Sequence, residues 1–196
     1  MEHKAKIAIF GSGNGTNAQC IAEYFKNHKT IEIDCIVYNK KEAYIAERAT
    51  NLGIASQYFG KKDFYESDTV INYLKKRGID YIVLAGFLWL VPENMLSAYE
   101  GKIVNIHPAL LPKYGGKGMY GDRVHEAVIA HHEQESGITI HEVDNHYDQG
   151  TTLFQARCQV EPGDTPDSLA QKIHKLEHQH FPHVIESWIE QKEAAR

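Results

Sequence analysis

Ala5-Lys6-Ile7-Ala8-Ile9-Phe10-Gly11-Ser12-Gly13-Asn14-Gly15-Thr16-Asn17 is a short apolar run stopped by a glycine-rich turn. A buried strand that turns sharply into a helix reads this way, because glycine tolerates the backbone angles such a turn needs. The helix follows, with Ala18, Ile21, Ala22 and Phe25 recurring on one face and Thr16 or Asn17 expected as its N-cap. Ile31 to Tyr38 is a second β-type run, and a helix is expected from about Glu42 to Asn51. The alternation continues with a short strand near Ala55 to Tyr58, a helix from about Asp63 to Lys76, and the apolar run Tyr81 to Ala85. A short helix near Glu93 to Tyr99 then leads into Lys102 to Ile106, a fifth strand whose carboxyl end carries His107-Pro108. Such alternation predicts an α/β, Rossmann-like, mostly parallel sheet with helices on both faces.

Beyond the fifth strand, Pro112 to Gly121 is glycine-rich and reads as a mobile loop, with Met119 and Tyr120 either a lid or simply exposed. A helix from about Asp122 to His132 follows. Gly137 to Val143 and Thr152 to Val160 alternate as an antiparallel hairpin across the turn-rich Asp144 to Gly150, expected at one edge of the sheet. The breaker cluster Pro162 to Pro166 opens a last helix to about Lys192, with an interruption expected at Pro182. No internal repeat and no linker divides the chain.

With 42% hydrophobic and 24% charged residues, the composition is that of a globular protein. The net charge of −5 speaks against a nucleic-acid partner, whose electrostatic complement is basic. Cys20, Cys35 and Cys158 lack the close pairing of zinc sites or redox dithiols, so reduced thiols and no metal are expected. The amino-terminal apolar run is too short for a leader or a membrane span, and a cytoplasmic protein is the default. His174, His178, His180 and His183, within the last helix, read mostly as solvated or capping groups.

By position the glycine turn is an anion site, since main-chain N–H groups at a helix start point at whatever sits above them. A bare turn is the competing reading. Gly11, Gly13 and Gly15 alternate instead of following the Gly-x-Gly-x-x-Gly spacing, no Lys-Ser/Thr follows, and the second strand ends in Asn39 where a ribose-binding acid would stand. NAD is therefore not expected. Asn105, His107 and Asp148 are the polar set that could attend an acyl carbon: an amide to donate to an oxyanion, an imidazole to move a proton, a carboxylate to orient it. Taken singly, a His after a strand and an Asp near Gly150 are equally well structural.

Read together, Gly13-Asn14-Gly15-Thr16-Asn17, Leu84-Ala85-Gly86-Phe87 and Asn105-Ile106-His107-Pro108-Ala109-Leu110-Leu111-Pro112-Lys113-Tyr114 resemble the phosphoribosylglycinamide formyltransferase family. Gly137-Ile138-Thr139-Ile140-His141 and Asp148-Gln149-Gly150 continue the likeness in order, over essentially the whole chain. The resemblance implies one formyltransferase domain over 1–196, with a phosphate-binding half to about 100 and a folate and catalytic half from about 101. It implies small-molecule substrates: 10-formyltetrahydrofolate as co-substrate and a phosphorylated glycinamide as acceptor. Gly15, Thr16 and Asn17 are then expected to hold the phosphate, and His174 and Glu177 the ribosylglycinamide. The pterin is expected against Leu88, Trp89, Leu90 and Val91 and the loop Asp144 to Asp148. Asn105, His107 and Asp148 become the catalytic set, with His107 an imidazolium held by Asp148 and with Thr139 and His141 supporting it. Either a monomer or a homodimer is compatible.

Two rivals share the Asn, His and Asp set, formyltetrahydrofolate hydrolases and methionyl-tRNA formyltransferases. The extra domain each of them adds is not expected here. A non-catalytic nucleotide-binding module explains the sheet and the turn but not the three polar residues together. The chain departs from the family pattern at Trp89, where many members carry Arg, and at Ser67, where a basic folate contact is usual, so the folate tail is expected on Lys61 or Lys62.

Overall fold

β1 (Ala5–Gly11) is buried along nearly its whole length, as a strand covered on both faces must be. The computed structural model describes residues 4–144, 148 and 150–195. Two compact units make up the chain, Met1–Val104 and Asn105–Arg196.

In the first unit α1 (Thr16–Phe25) buries Ala18, Ile21, Ala22 and Phe25, the face its periodicity implied. Next come β2 (Ile31–Tyr38), α2 (Ile45–Leu52), β3 (Ala55–Tyr58), α3 (Lys61–Tyr65), α4 (Thr69–Arg77), β4 (Tyr81–Leu84), α5 (Glu93–Ala98) and the start of β5 (Ile103–His107). β1 pairs in parallel with β2 on one side, Phe10 opposite Val37, and with β4 on the other, Phe10 opposite Leu84. β3 extends β2, also in parallel. Ile7, Ile9, Phe10, Ile36 and Ile82 are fully buried here, and each such side chain contributes about 1.5–3 kcal/mol relative to exposure.

Three expectations are corrected in this unit. The N-cap of α1 is Gly15, neither Thr16 nor Asn17, because the chain enters the helix from the left-handed region at φ 77°. The helix expected from Glu42 starts at Ile45, after a turn in which the Ala43 amide donates to the Lys40 carbonyl. The helix expected over Asp63 to Lys76 is two helices. Asp63 caps the start by accepting from the Gly60 amide at 3.0 Å. Ser67 breaks the middle: its hydroxyl donates to the Asp63 carbonyl at 3.1 Å and accepts from the Thr69 amide at 3.3 Å, replacing helical bonds.

The second unit holds the end of β5, α6 (Asp122–Ala130), β6 (Glu135–Glu142), β7 (Thr152–Gln159) and α7 (Pro166–Ala194). β6 and β7 are antiparallel, with Ile138 opposite Ala156. Thr165 caps α7, accepting from the Ser168 amide, and Pro166 takes the first helical position. Contrary to expectation, α7 runs unbroken past Pro182. An interior proline costs about 3 kcal/mol, but Leu169, Ile173, Phe181, Ile185, Trp188 and Ile189 bury one continuous face that keeps both halves in line. The strand order is β3-β2-β1-β4-β5-β6-β7, an α/β sheet that is mostly parallel with an antiparallel hairpin at one edge.

Candidate active site

The glycine turn of the first unit is shaped by close packing. A Cβ on Gly15 would stand 2.6 Å from Ile45 Cγ1 and 2.8 Å from Ile45 Cβ, so α2 lies directly against the bare backbone. Gly15 offers α1 no side-chain cap, which leaves main-chain donors to define the helix start. Arg48 of α2 donates to the Asn14 carbonyl at 2.7 Å, to Asn14 Oδ1 at 2.9 Å, and to Gln19. The Ser12 hydroxyl accepts from the Leu88 amide at 2.9 Å, and the Ser12 amide donates to the Gly86 carbonyl at 3.1 Å. Turn, α2 and the segment after β4 are thereby joined, with a guanidinium beside the helix start where an anion is favoured. Ser12 and Arg48 were not singled out from sequence. Arg48 lies 34 residues from Asn14, so nothing local marks it.

Leu88 and Leu90 are exposed, Val91 is buried, and Trp89 is half-buried against the rings of Phe64 at 5.5 Å and Tyr65 at 5.8 Å. The Tyr65 hydroxyl donates to the Leu90 carbonyl at 3.0 Å, fixing this segment to α3. Lys61 and Lys62 are exposed on the same short helix.

In the second unit, the period of two along β5 places Asn105 and His107 on one face. His107 is 4% exposed. Its Nε2 lies 2.7 Å from the Tyr114 carbonyl and its Nδ1 3.8 Å from Asp148 Oδ2. Asp148 Oδ2 accepts from the Gly116 amide at 2.8 Å, and Asp148 Oδ1 is 3.6 Å from His141 Nε2. His141 Nδ1 meets the Glu142 carbonyl at 2.9 Å, which can only accept, so Nδ1 carries the hydrogen. Asn105 Nδ2 lies 3.1 Å from His141 Nε2, which accepts from it when the ring is neutral and turns an N–H toward Asp148 when the ring is protonated. Asn105, His107, His141 and Asp148 thus form one cluster in which two imidazoles approach a single carboxylate and an amide meets one of them.

Electrostatics adjust the expected roles. Burial pushes His107 below its ordinary value of 6.5, against the opposing pull of Asp148, the Tyr114 carbonyl and Glu177, so the resting ring is neutral at pH 7 and not the expected imidazolium. For Asp148, burial acts upward, but His141, the Gly116 amide and His107 outweigh it and hold the carboxyl below the usual range. The pair rests as neutral imidazole and carboxylate.

Thr139 supports the segment after His107: its hydroxyl donates to the Ala109 carbonyl at 2.7 Å and accepts from the Leu111 amide at 3.0 Å and from Gln155 at 2.9 Å. His174 is paired, not merely solvated, with Nδ1 3.0 Å from Glu177 Oε2. That hydrogen bond raises the imidazole's pKa, while the Glu177 carboxylate is almost fully buried. Asp144 is exposed; of the expected pterin loop, Asn145, His146 and Tyr147 lie outside the described residues, as does Gln149. Gly15, Thr16, Asn17 and Leu88 to Val91 belong to the first unit, and the acid–base cluster with His174 and Glu177 to the second. Among the described residues no group of three or more His, Cys, Asp or Glu is arranged to hold a metal, and no helix is long and apolar enough to cross a membrane.

Residues 5–185 match the formyl transferase family. A phosphoribosylglycinamide formyltransferase of Bacillus subtilis is 34% identical over 94% of this chain and 94% of its own. The chloroplastic enzyme of the same name from Vigna unguiculata is 40% identical over 96% of this chain, which spans 62% of that relative's length. The crystal structure of phosphoribosylglycinamide formyltransferase from Streptococcus pneumoniae superposes with a TM-score of 0.84 at 36% identity, covering 94% of this chain and 99% of the other.

Proposed function

Since the chain belongs to the formyl transferase family, we propose that it transfers the formyl group of 10-formyltetrahydrofolate to the amine of N1-(5-phospho-D-ribosyl)glycinamide, a step of purine biosynthesis. The observation that carries the reading is the Asn105, His107, His141 and Asp148 cluster, which joins an amide donor, a neutral base and a carboxylate. The relatives that share both the length and the fold bear the name of this activity. Both units serve one formyltransferase domain in this reading: the first holds the phosphate through Gly15, Thr16 and Asn17 and offers Leu88 to Val91 to the pterin. The second contributes Asp144 to the folate site, His174 and Glu177 to the acceptor, and the chemistry.

The neutral amine attacks the formyl carbon, a C–N bond forms, and the carbonyl electron pair moves onto oxygen. Asn105 Nδ2, with one hydrogen engaged by His141, has a second to give to that oxyanion. Loss of one such donor costs about 3 kcal/mol of transition-state stabilisation. His107 Nδ1 takes the proton from the attacking nitrogen, and the imidazolium so formed faces the Asp148 carboxylate. Delivery of the proton to the departing folate nitrogen breaks the second C–N bond and restores the carbonyl, releasing tetrahydrofolate.

The test is to incubate the protein with 10-formyltetrahydrofolate, with and without the glycinamide ribonucleotide, and follow tetrahydrofolate. Turnover that requires the amine is expected. Turnover without it would make the protein a hydrolase, and binding without turnover a nucleotide or folate module.

A further inference from the structure

The stretch that follows β5 meets both members of the acid–base pair with main-chain groups. The Tyr114 carbonyl lies 2.7 Å from His107 Nε2, and the Gly116 amide donates to Asp148 Oδ2 at 2.8 Å. Gly115 between them lets the chain come this close: a Cβ there would stand 2.5 Å from Leu111 Cδ2 and 3.3 Å from Asp148 Cβ. Tyr114 itself has φ 56°, a conformation that side chains other than glycine's rarely adopt, so something outside the backbone must hold it. Its side chain supplies the hold. The Tyr114 hydroxyl donates to Glu133 Oε1 at 2.9 Å, and Lys113 Nζ reaches the two oxygens of the same carboxylate at 3.1 and 3.2 Å. Glu133 stands just beyond α6 and is tied to it by its amide, which donates to the Val128 carbonyl. The Tyr114 ring also lies 5.7 Å from that of His131.

The direction of the His107 bond then has a chemical consequence. A carbonyl oxygen only accepts, so Nε2 must carry the hydrogen, and in a neutral ring Nδ1 is left bare. The opposite tautomer would set two lone pairs against each other at 2.7 Å. Nδ1 is also the nitrogen that faces Asp148.

We propose that Tyr114 and Glu133 are positioning residues for the reaction: the Glu133 carboxylate holds the Tyr114 hydroxyl, the Tyr114 carbonyl holds Nε2–H, and His107 is thereby fixed as the tautomer whose Nδ1 receives the amine proton. What Nδ1 does rests on the formyl-transfer reading; which nitrogen carries the hydrogen does not. Nothing in the reaction touches Glu133, which acts only through Tyr114. The charged and titratable groups that face His107 are Asp148, His141, Glu177 and His125, and none of them is altered by changing Glu133 or Tyr114.

The experiment is nitrogen-15 NMR of the intact chain, with the His107 ring assigned by its disappearance in His107→Asn, alongside steady-state kinetics. Above the His107 titration the wild type is expected to show a single Nε2–H tautomer. In Glu133→Ala and in Tyr114→Phe the two tautomers should mix, and kcat should fall about tenfold, as for the loss of one anchoring hydrogen bond, with both KM values nearly unchanged. Glu133→Gln keeps an acceptor for the Tyr114 hydroxyl and should restore both the tautomer and kcat. A purely structural role for Glu133 would lower the melting temperature without moving the tautomer. An Nδ1–H tautomer in the wild type, an unmoved tautomer in the variants, or an unmoved kcat overturns the proposal. Should Glu133→Ala fail to fold, Tyr114→Phe carries the test, since it removes one oxygen from a half-buried ring. Absence of amine-dependent turnover in the wild type, with the tautomer still shifting in the variants, would sink the formyl-transfer reading and leave the positioning intact.

Discussion

The glycine turn of the first unit offers main-chain groups at the start of α1, with Gly15 packed on Ile45 and Arg48 gripping Asn14. In the Asn105, His107, His141 and Asp148 cluster of the second unit, by contrast, the members meet one another through side chains that can change their protonation or hydrogen-bond sense, and main-chain groups of Tyr114, Gly116 and Glu142 hold them in place. A main-chain site is set by shape and is insensitive to pH; it suits holding a group that does not react. A side-chain site is set by proton positions and suits chemistry. The contrast predicts that damage to the turn appears in substrate binding and in stability, and damage to the cluster in turnover.

The largest effect should come from His107→Ala. Removing the base costs on the order of a thousandfold in kcat, within the range for general acid–base groups, while the melting temperature stays near wild type. A loss confined to KM would break the contrast at its stronger end. Gly15→Ala is the matching change in the turn. The added methyl meets Ile45 Cγ1, Cβ and Cα at 2.6, 2.8 and 3.0 Å, so no rotamer change relieves it, and φ 77° adds strain. Urea unfolding should show a loss of about 1–3 kcal/mol, and the KM for the phosphorylated acceptor should rise with kcat largely kept.

This same difference decides what could be read from the residues alone. β2 and β3 were legible to the residue because apolar runs and their stops are local, and α1 showed its buried face because Ala18, Ile21, Ala22 and Phe25 recur at helical spacing. The break at Ser67 was not legible, since it depends on a hydroxyl competing with the helix's own bonds. Neither was the continuity of α7 through Pro182, which depends on what the rest of its face buries. In the candidate site, Asn105 and His107 could be paired by their spacing on a strand, but Asp148 lies far along the chain, and although its chemistry suited it to them, only the resemblance to a family implied that the three meet. The Tyr114 carbonyl on His107 had no signature at all, because a main-chain oxygen is the same in every residue. Arg48 was missed for want of any local pattern.

Thr139→Val sharpens the comparison within the second unit by removing a hydroxyl that has three partners yet stands outside the proton path. Leaving buried partners unsatisfied costs about 1–3 kcal/mol, so chemical denaturation should show it, with a smaller loss in kcat than for His107→Ala. An equal loss would mean that the segment after His107 must be held as tightly as the base itself.

The pH dependence separates the two regions again. Because His107 is depressed below 6.5, kcat/KM should rise with pH through an acid limb below that value, and stability should fall as pH drops through the same window, where the unfolded chain binds more protons. Asp148, also depressed, contributes stability present above its unfolded value and lost as pH falls through its folded one. Asp148→Asn removes the anion that favours the imidazolium, so the NMR titration of His107 should move to lower pH. An upward move would reverse the assigned role of the carboxylate.

Lys61→Ala with Lys62→Ala should have the smallest effect, and it tests the main-chain character of the first unit at its edge. α3 presents both lysines to solvent while its Phe64 and Tyr65 brace the Trp89 and Leu90 segment proposed for the pterin. A flexible ammonium in water gains little from an anion, roughly 0.2–1 kcal/mol per pair, so the KM for a folate with its glutamate tail should rise only a few-fold. That rise should shrink at high salt and be absent for a folate analogue lacking the glutamate, because screening acts on exposed charges. Were the change as large with the tail-less analogue, the lysines would act through α3 and the Trp89 segment, and the first unit would then depend on side chains as the second does.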